Sequence, residues 1–116
     1  MSAPNRTIAI VDDDAAVRSA LSRLVRAHGF AACTFGSAEA FQAAAHLDTC
    51  LLIVDIDLPG ASGLELVERM DLETRPLPVV LLTGSAGDDA TWQAEARRVG
   101  ALALLRKPVE ADECWR

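Results

Sequence analysis

Apolar residues cluster in five short runs, at 7–11, 30–35, 51–54, 79–82 and 101–105. Most are apolar at consecutive rather than alternate positions, the pattern of parallel strands covered on both faces. Stretches of helical spacing separate them. Strands alternating with helices predict right-handed βα units, with helices on both sides of one sheet. The expected architecture is an open, doubly wound five-stranded α/β sheet, (βα)5, whose last helix is short because only eight residues follow Pro108.

The helices carry their own marks. In the first, Val17, Leu21, Leu24, Val25 and His28 recur at three- and four-residue steps, with Arg18, Ser22, Arg23 and Arg26 assigned to the opposite, polar face. Asp14 is expected to cap its start, and Gly29 its end. Ser37 predicts the N-cap of a second helix bearing Ala38, Phe41 and Ala45. Ser62 with Glu65 three residues on reads as a capping box for a helix over 64–70. Pro76 and Pro78 precede the fourth run; Asp88 and Asp89 open a fourth helix that closes at Gly100. His28 and His46 fall at helix ends, where the dipole suits them, and are assigned no catalytic role.

No repeat, linker or low-complexity stretch interrupts the 116 residues, a length that predicts one domain. Seventeen acidic against eleven basic residues give a net charge of −6, which argues against direct docking on nucleic acid or an anionic membrane. The N-terminus lacks an apolar signal core and no run approaches membrane-spanning length, as in a soluble cytoplasmic protein. Cys33, Cys50 and Cys114 are odd in number without CxxC spacing, so neither a disulfide frame nor a zinc ribbon is encoded. Cys33 and Cys50 are expected in the core, and Cys114 as an exposed thiol.

Sites in open α/β sheets form beyond the carboxyl ends of the strands. There the chain places Asp12-Asp13-Asp14, Asp55-Ile56-Asp57, Thr83-Gly84-Ser85 and Arg106-Lys107-Pro108. Clustered carboxylates repel unless a cation joins them. An all-oxygen set with few protein ligands suits Mg²⁺, which bridges to phosphate. A lysine and a hydroxyl alongside can grip phosphoryl oxygens. Together they describe an aspartate that accepts a phosphoryl group.

On these residues the chain resembles the receiver domains of bacterial response regulators, over nearly its whole length. The motifs are Val11-Asp12-Asp13, the run from Val54 through Asp55 and Asp57 to Pro59-Gly60-Ala61-Ser62-Gly63, Leu82-Thr83-Gly84 and Arg106-Lys107-Pro108. Each is weak alone; four in order, each at a strand end, are strong. The resemblance implies a flavodoxin/CheY-like fold with strand order 2-1-3-4-5. It implies Asp55 as phosphoacceptor, with Mg²⁺ held by Asp12, Asp13, Asp55 and the backbone carbonyl of Asp57. Thr83 and Lys107 would hold phosphoryl oxygens, and the Lys107–Pro108 bond is expected to be cis. The stretch Phe35-Gly36-Ser37-Ala38-Glu39 further resembles the FixJ-like branch, whose members often carry a C-terminal DNA-binding output domain. The implied partners are a sensor histidine kinase and such an output domain, with homodimerisation open. The chain then reads as the N-terminal receiver, residues 1–116, of a longer regulator.

Three positions depart from the family pattern. Leu104 stands where an aromatic switch residue is usual, Val109 replaces a Phe, and the last helix stops at Arg116, leaving Trp115 and Val109 to cover the sheet. Trp92 is expected in the core, and Arg97 and Arg98 on a solvated face. Two rival functions stand beside this one. Asp55-Ile56-Asp57 resembles the opening of haloacid-dehalogenase-type phosphatases, but the acidic pair ahead of it and the short chain argue against an enzyme. A pseudo-receiver used only for binding is opposed by intact Asp12, Asp13, Asp55, Thr83 and Lys107, although Leu104 leaves room for it. A mononucleotide site is excluded because Asp12-Asp13-Asp14, not a Gly-rich loop, follows the first strand.

Overall fold

The structure, a computed structural model, describes residues 6–44, 49–58, 60, 62–70, 77–84 and 89–107. Its elements run β1 (Thr7–Val11), α1 (Ala15–Ala27), β2 (Ala31–Phe35), α2 (Ala38–Ala43), β3 (Thr49–Asp55), α3 (Gly63–Met70), β4 (Val79–Thr83), α4 (Asp89–Val99) and β5 (Ala103–Arg106). The five strands form one sheet in the order β2-β1-β3-β4-β5, every neighbouring pair parallel. From β1 the chain steps outward to β2, then returns to the other side of β1 for β3. This reversal opens a crevice at the carboxyl ends of β1 and β3.

Alternation along β1 divides the core. Ala9 and Val11 face the side covered by α2, α3 and α4, where they pack with Phe41, Leu52, Val54, Leu66, Val67 and Leu81. Ile8 and Ile10 face α1, packing with Leu21, Val25, Ile53 and Leu82. Burying side chains of this size contributes about 1.5–3 kcal/mol each. That makes β1, β3 and β4 a rigid platform under the crevice. Trp92 packs at the margin of the first cluster, as expected of a core residue.

The caps match the expectations. Asp14 Oδ1 accepts from Ala16 N at 2.9 Å, and Ser37 Oγ accepts from Ala40 N at 3.0 Å. Ser62 and Glu65 form the reciprocal box, 3.1 and 3.3 Å. Gly29 and Gly100 end α1 and α4 with φ of 90° and 84°, a region costly for any side chain. His28 caps α1, its Nδ1 3.1 Å from the Leu24 carbonyl.

Two expectations fail. Cys33 is exposed rather than in the core, while Cys50 is half-buried. The reason is strand order: β2 is a sheet edge and most of its residues are open to solvent, although its sequence is as apolar as a central strand's. Ser22 and Arg18 do not lie on the solvated face of α1. Ser22 is buried beside Leu21 and Val25, and Arg18 is half-buried. The buried stripe of α1 is therefore rotated toward 18, 22 and 25, with Val17 and Leu24 at its flank. His46, Pro59, Ala61, Pro76, Ser85, Asp88, Pro108, Val109, Cys114 and Trp115, and with them the short last helix and the cis bond, lie outside the described residues.

Candidate functional site

Register brings the strand-end residues together. Val11 pairs with Val54, so Asp12 and Asp55 stand one step beyond, side by side. Asp55 pairs with Leu82, and Thr83 with Arg106, which puts Thr83 and Lys107 on the same edge. Asp12, Asp55 and Thr83 are buried at 0%, 1% and 1% exposure; Asp13 and Asp57 are exposed.

Each carboxylate is held by the backbone. Asp12 Oδ1 accepts from Asp14 N at 2.8 Å, and Asp55 Oδ1 accepts from Asp57 N at 3.0 Å. Their second oxygens face one cation. Lys107 Nζ donates to Asp55 Oδ2 at 2.8 Å and lies 2.9 Å from Asp12 Oδ2. The second contact is an ion pair, and Asp12 Oδ2 is buried without a hydrogen-bond partner.

Lys107 directly follows β5, two strands from Asp55, a gap of about 10 Å. Its stem reaches across alongside Gly84, where a Cβ would stand in ordinary van der Waals contact, 3.6 Å from Lys107 Cδ. The Lys107 N–H is fixed to the Thr83 carbonyl at 2.8 Å. Gly63 answers a second close approach. A Cβ on it would lie 2.3 Å from the Asp55 carbonyl oxygen, so only glycine lets α3 start against the backbone of the site.

Burial pushes the Asp12 carboxyl upward and the charge of Asp55 adds to it, outweighing the Asp14 N–H and Lys107. At Lys107 burial works against the ammonium, but the hydrogen bond to Asp55, the close contact with Asp12 and the charges of both leave its pKa raised. The pocket thus holds more negative charge than its one lysine balances.

The residues fit a divalent cation. Ligand oxygens of Asp12, Asp13 and Asp55 all lie within 4.8 Å of one another, they are hard donors of the kind Mg²⁺ prefers, and Asp12 Oδ2 is a buried acceptor short of partners. Asp14 is the cap of α1 and not a member of this group. The side chain of Asp57 also lies outside it, while its backbone is tied to Asp55. Leu104 pairs with Leu81 and packs against the α2–α3–α4 side of the core. Arg97 is exposed as expected; Arg98, also exposed, joins Glu95 on its own helix to Glu68 on α3 at 2.8 and 2.7 Å.

Sequence reasoning missed Arg18. Its Nη1 donates to the Asp12 carbonyl at 2.6 Å. The signal available was its spacing, one turn beyond the Asp14 cap, from which a helical side chain leans back over the helix start.

The profile of the response regulator receiver domain matches residues 8–115. The chain is 37% identical over 106 residues to the transcriptional regulatory protein FixJ of Bradyrhizobium diazoefficiens, covering 90% of this chain and 51% of that protein. It is 34% identical over 105 residues to the DNA-binding transcriptional regulator NtrC of Escherichia coli, covering 90% and 22%. The chain spans about half the length of the FixJ proteins it matches. Among solved structures, FixJ-N superimposes with a TM-score of 0.78 at 32% identity, covering 94% of this chain and 86% of that one. A CheY-like receiver from Methanospirillum hungatei gives 0.81 at 27%, covering 94% and 86%. With four acidic, hydroxyl and amine motifs converging on the switch-point crevice, the chain belongs to the response regulator receiver domain family, on its FixJ-like branch, and serves as a phosphoacceptor domain in two-component signalling.

Proposed function

We propose that Asp55 is the residue that takes the phosphoryl group, from a phosphohistidine of a sensor kinase. The observation that carries this is the Lys107 ammonium 2.8 Å from Asp55 Oδ2 in a buried cleft that also gathers Asp12 and Asp13. A carboxylate oxygen of Asp55 attacks phosphorus; the phosphorus–nitrogen bond breaks and its electron pair returns to the imidazole. Water later cleaves the acyl phosphate, restoring the carboxylate and releasing inorganic phosphate. Lys107, 2.8 Å from Asp55 Oδ2, orients the carboxylate for attack and then holds a phosphoryl oxygen, and Thr83, buried at the end of β4, holds another. Asp12, Asp13, Asp55 and the backbone carbonyl of Asp57 are the groups that would hold Mg²⁺. When bound, the ion neutralises charge on the carboxylates and on the transferring group.

The chemistry is self-directed rather than turnover on an external metabolite, which separates this chain from a haloacid-dehalogenase-type phosphatase. Residues 1–116 form the receiver part of a longer cytoplasmic regulator with a DNA-binding output domain. Leu104 has no ring to swing inward, so movement of Thr83 reaches partners through the segment between β4 and α4. A beryllofluoride complex whose spectra change only next to Asp55 would reject that route.

The test of the central reading is incubation with acetyl phosphate and Mg²⁺, followed by intact mass. The native chain should gain one phosphoryl group and Asp55→Asn none. An equal gain in both would refute Asp55 as acceptor.

A further inference from the structure

Arg18 is none of the strand-end residues, yet it is bonded to the backbone of one of them. The residue lies on the second turn of α1, its own N–H bonded to the Asp14 carbonyl at 3.0 Å. Its side chain leans back over the helix start and Nη1 donates to the carbonyl of Asp12 at 2.6 Å. That carbonyl belongs to the peptide joining Asp12 to Asp13, the two carboxylates of the β1 end. The turn after β2 lies beside the guanidinium, where a Cβ on Gly36 would stand in ordinary contact, 3.6 Å from Nη1.

The Asp12 backbone is therefore held at both ends. Its N–H donates to the Phe35 carbonyl at 3.0 Å, and its C=O accepts from Arg18. The Asp12 side chain is oriented separately, by the Asp14 N–H, and its second oxygen faces Lys107. Asp13 is different. It is exposed, and its placement follows from the plane of the peptide it hangs from. An uncompensated change in the torsions flanking that peptide would move the Asp13 carboxylate relative to the group in which all ligand oxygens lie within 4.8 Å.

We propose that Arg18 is a positioning residue that sets divalent-cation affinity by locking the Asp12–Asp13 peptide. This rests on the reading of Asp12, Asp13 and Asp55 as a cation site. A rival electrostatic effect has the opposite sign: the positive guanidinium near the acidic group repels a cation, so deleting it should tighten binding if charge dominated. Positioning predicts weaker binding instead. Groups that orient metal ligands typically change affinity 10- to 100-fold when removed, whereas the guanidinium is partly open to solvent, where its field is screened.

The test uses Mn²⁺ as a probe for the Mg²⁺ site, with free Mn²⁺ counted by electron paramagnetic resonance and no phosphodonor present. Native chain, Arg18→Met, Arg18→Lys and Asp13→Asn are compared below the unfolding onset of each. Arg18→Met should bind about ten-fold more weakly, and Arg18→Lys, which keeps a charge and a donor but not the planar fork, should recover part of the loss. Unchanged or tighter binding by Arg18→Met overturns the proposal, and a lowered melting midpoint with native affinity assigns Arg18 to stability alone and equally overturns it. Should Arg18→Met fail to fold, Arg18→Lys decides by the same comparison with the native chain. A native chain that takes up no Mn²⁺, or an Asp13→Asn chain that binds as well as native, overturns the cation site itself and this proposal with it.

Discussion

Lys107→Met removes the only cation in contact with two buried carboxylates among the described residues. The ammonium stands 2.8 Å from Asp55 Oδ2 and 2.9 Å from Asp12 Oδ2. At an effective dielectric of about 20, each contact is worth ~6 kcal/mol of gross attraction. Desolvation of the three groups cancels much of that, and removing one partner of a buried pair costs about 3–5 kcal/mol net. The Lys107 side chain keeps 19% of its exposure, and the Asp12 carboxyl, already pushed upward by burial, can take up a proton, which places the loss at the lower end, about 3 kcal/mol. For a domain of this size that lowers the melting midpoint by roughly 12 °C. The pH dependence follows from the shifts. Lys107 has a raised pKa when folded, so its contribution is complete below its ordinary value and fades only as pH rises through the folded one. Asp12 is also raised, so its ionisation costs stability as pH climbs from its ordinary value upward, and more so without the lysine. The deficit of Lys107→Met should therefore be small in acid, widen toward neutral pH and stay wide until strongly alkaline. Circular-dichroism melts in EDTA from about pH 5 to 9 measure it. Equal midpoints near neutral pH, or a deficit of constant size across the range, would refute the coupling.

Asp12→Asn removes a buried charge whose ionised form is disfavoured. The metal-free chain should melt a few degrees higher at pH 7 while losing its response to Mg²⁺, about 1 kcal/mol by the cost of an imperfectly paired buried group; a lower midpoint in EDTA contradicts this. Gly63→Ala drives a methyl to 2.3 Å from the Asp55 carbonyl oxygen, and because the obstacle is backbone, it should cost more than about 3 kcal/mol, or prevent folding; a near-native urea midpoint would show that α3 shifts freely. Arg98→Ala cuts the link between α3 and α4, but both partners are solvated, so its midpoint should match native in chemical denaturation. Cys33, on the open edge strand, should react with a thiol reagent well before half-buried Cys50, followed by peptide mapping; the reverse order would place the β2 edge under cover.

Local chemistry made much of this protein legible in one dimension. Consecutive apolar residues at β1, β3 and β4 mark strands covered on both sides. Ser37, Asp14 and the Ser62–Glu65 pair bond to groups within three residues, so their caps depend on nothing distant. The grouping of Asp12, Asp13, Asp55 and Lys107 was also readable, since the strand ends carry them in order and the family pattern supplies their pairing. Tertiary structure decided the rest. Cys33 is apolar in sequence but open, because strand order, which no local pattern contains, makes β2 an edge. Arg18 and Ser22 turned inward because the tilt of α1 on the sheet sets which stripe is covered, and a six-residue reach to the Asp12 carbonyl exists only once that helix is docked. The balance of charge around Asp55 was likewise hidden: Lys107 is 52 residues away in the chain, and its ammonium meets two carboxylates only because the sheet sets the ends of β1, β3 and β5 along one edge.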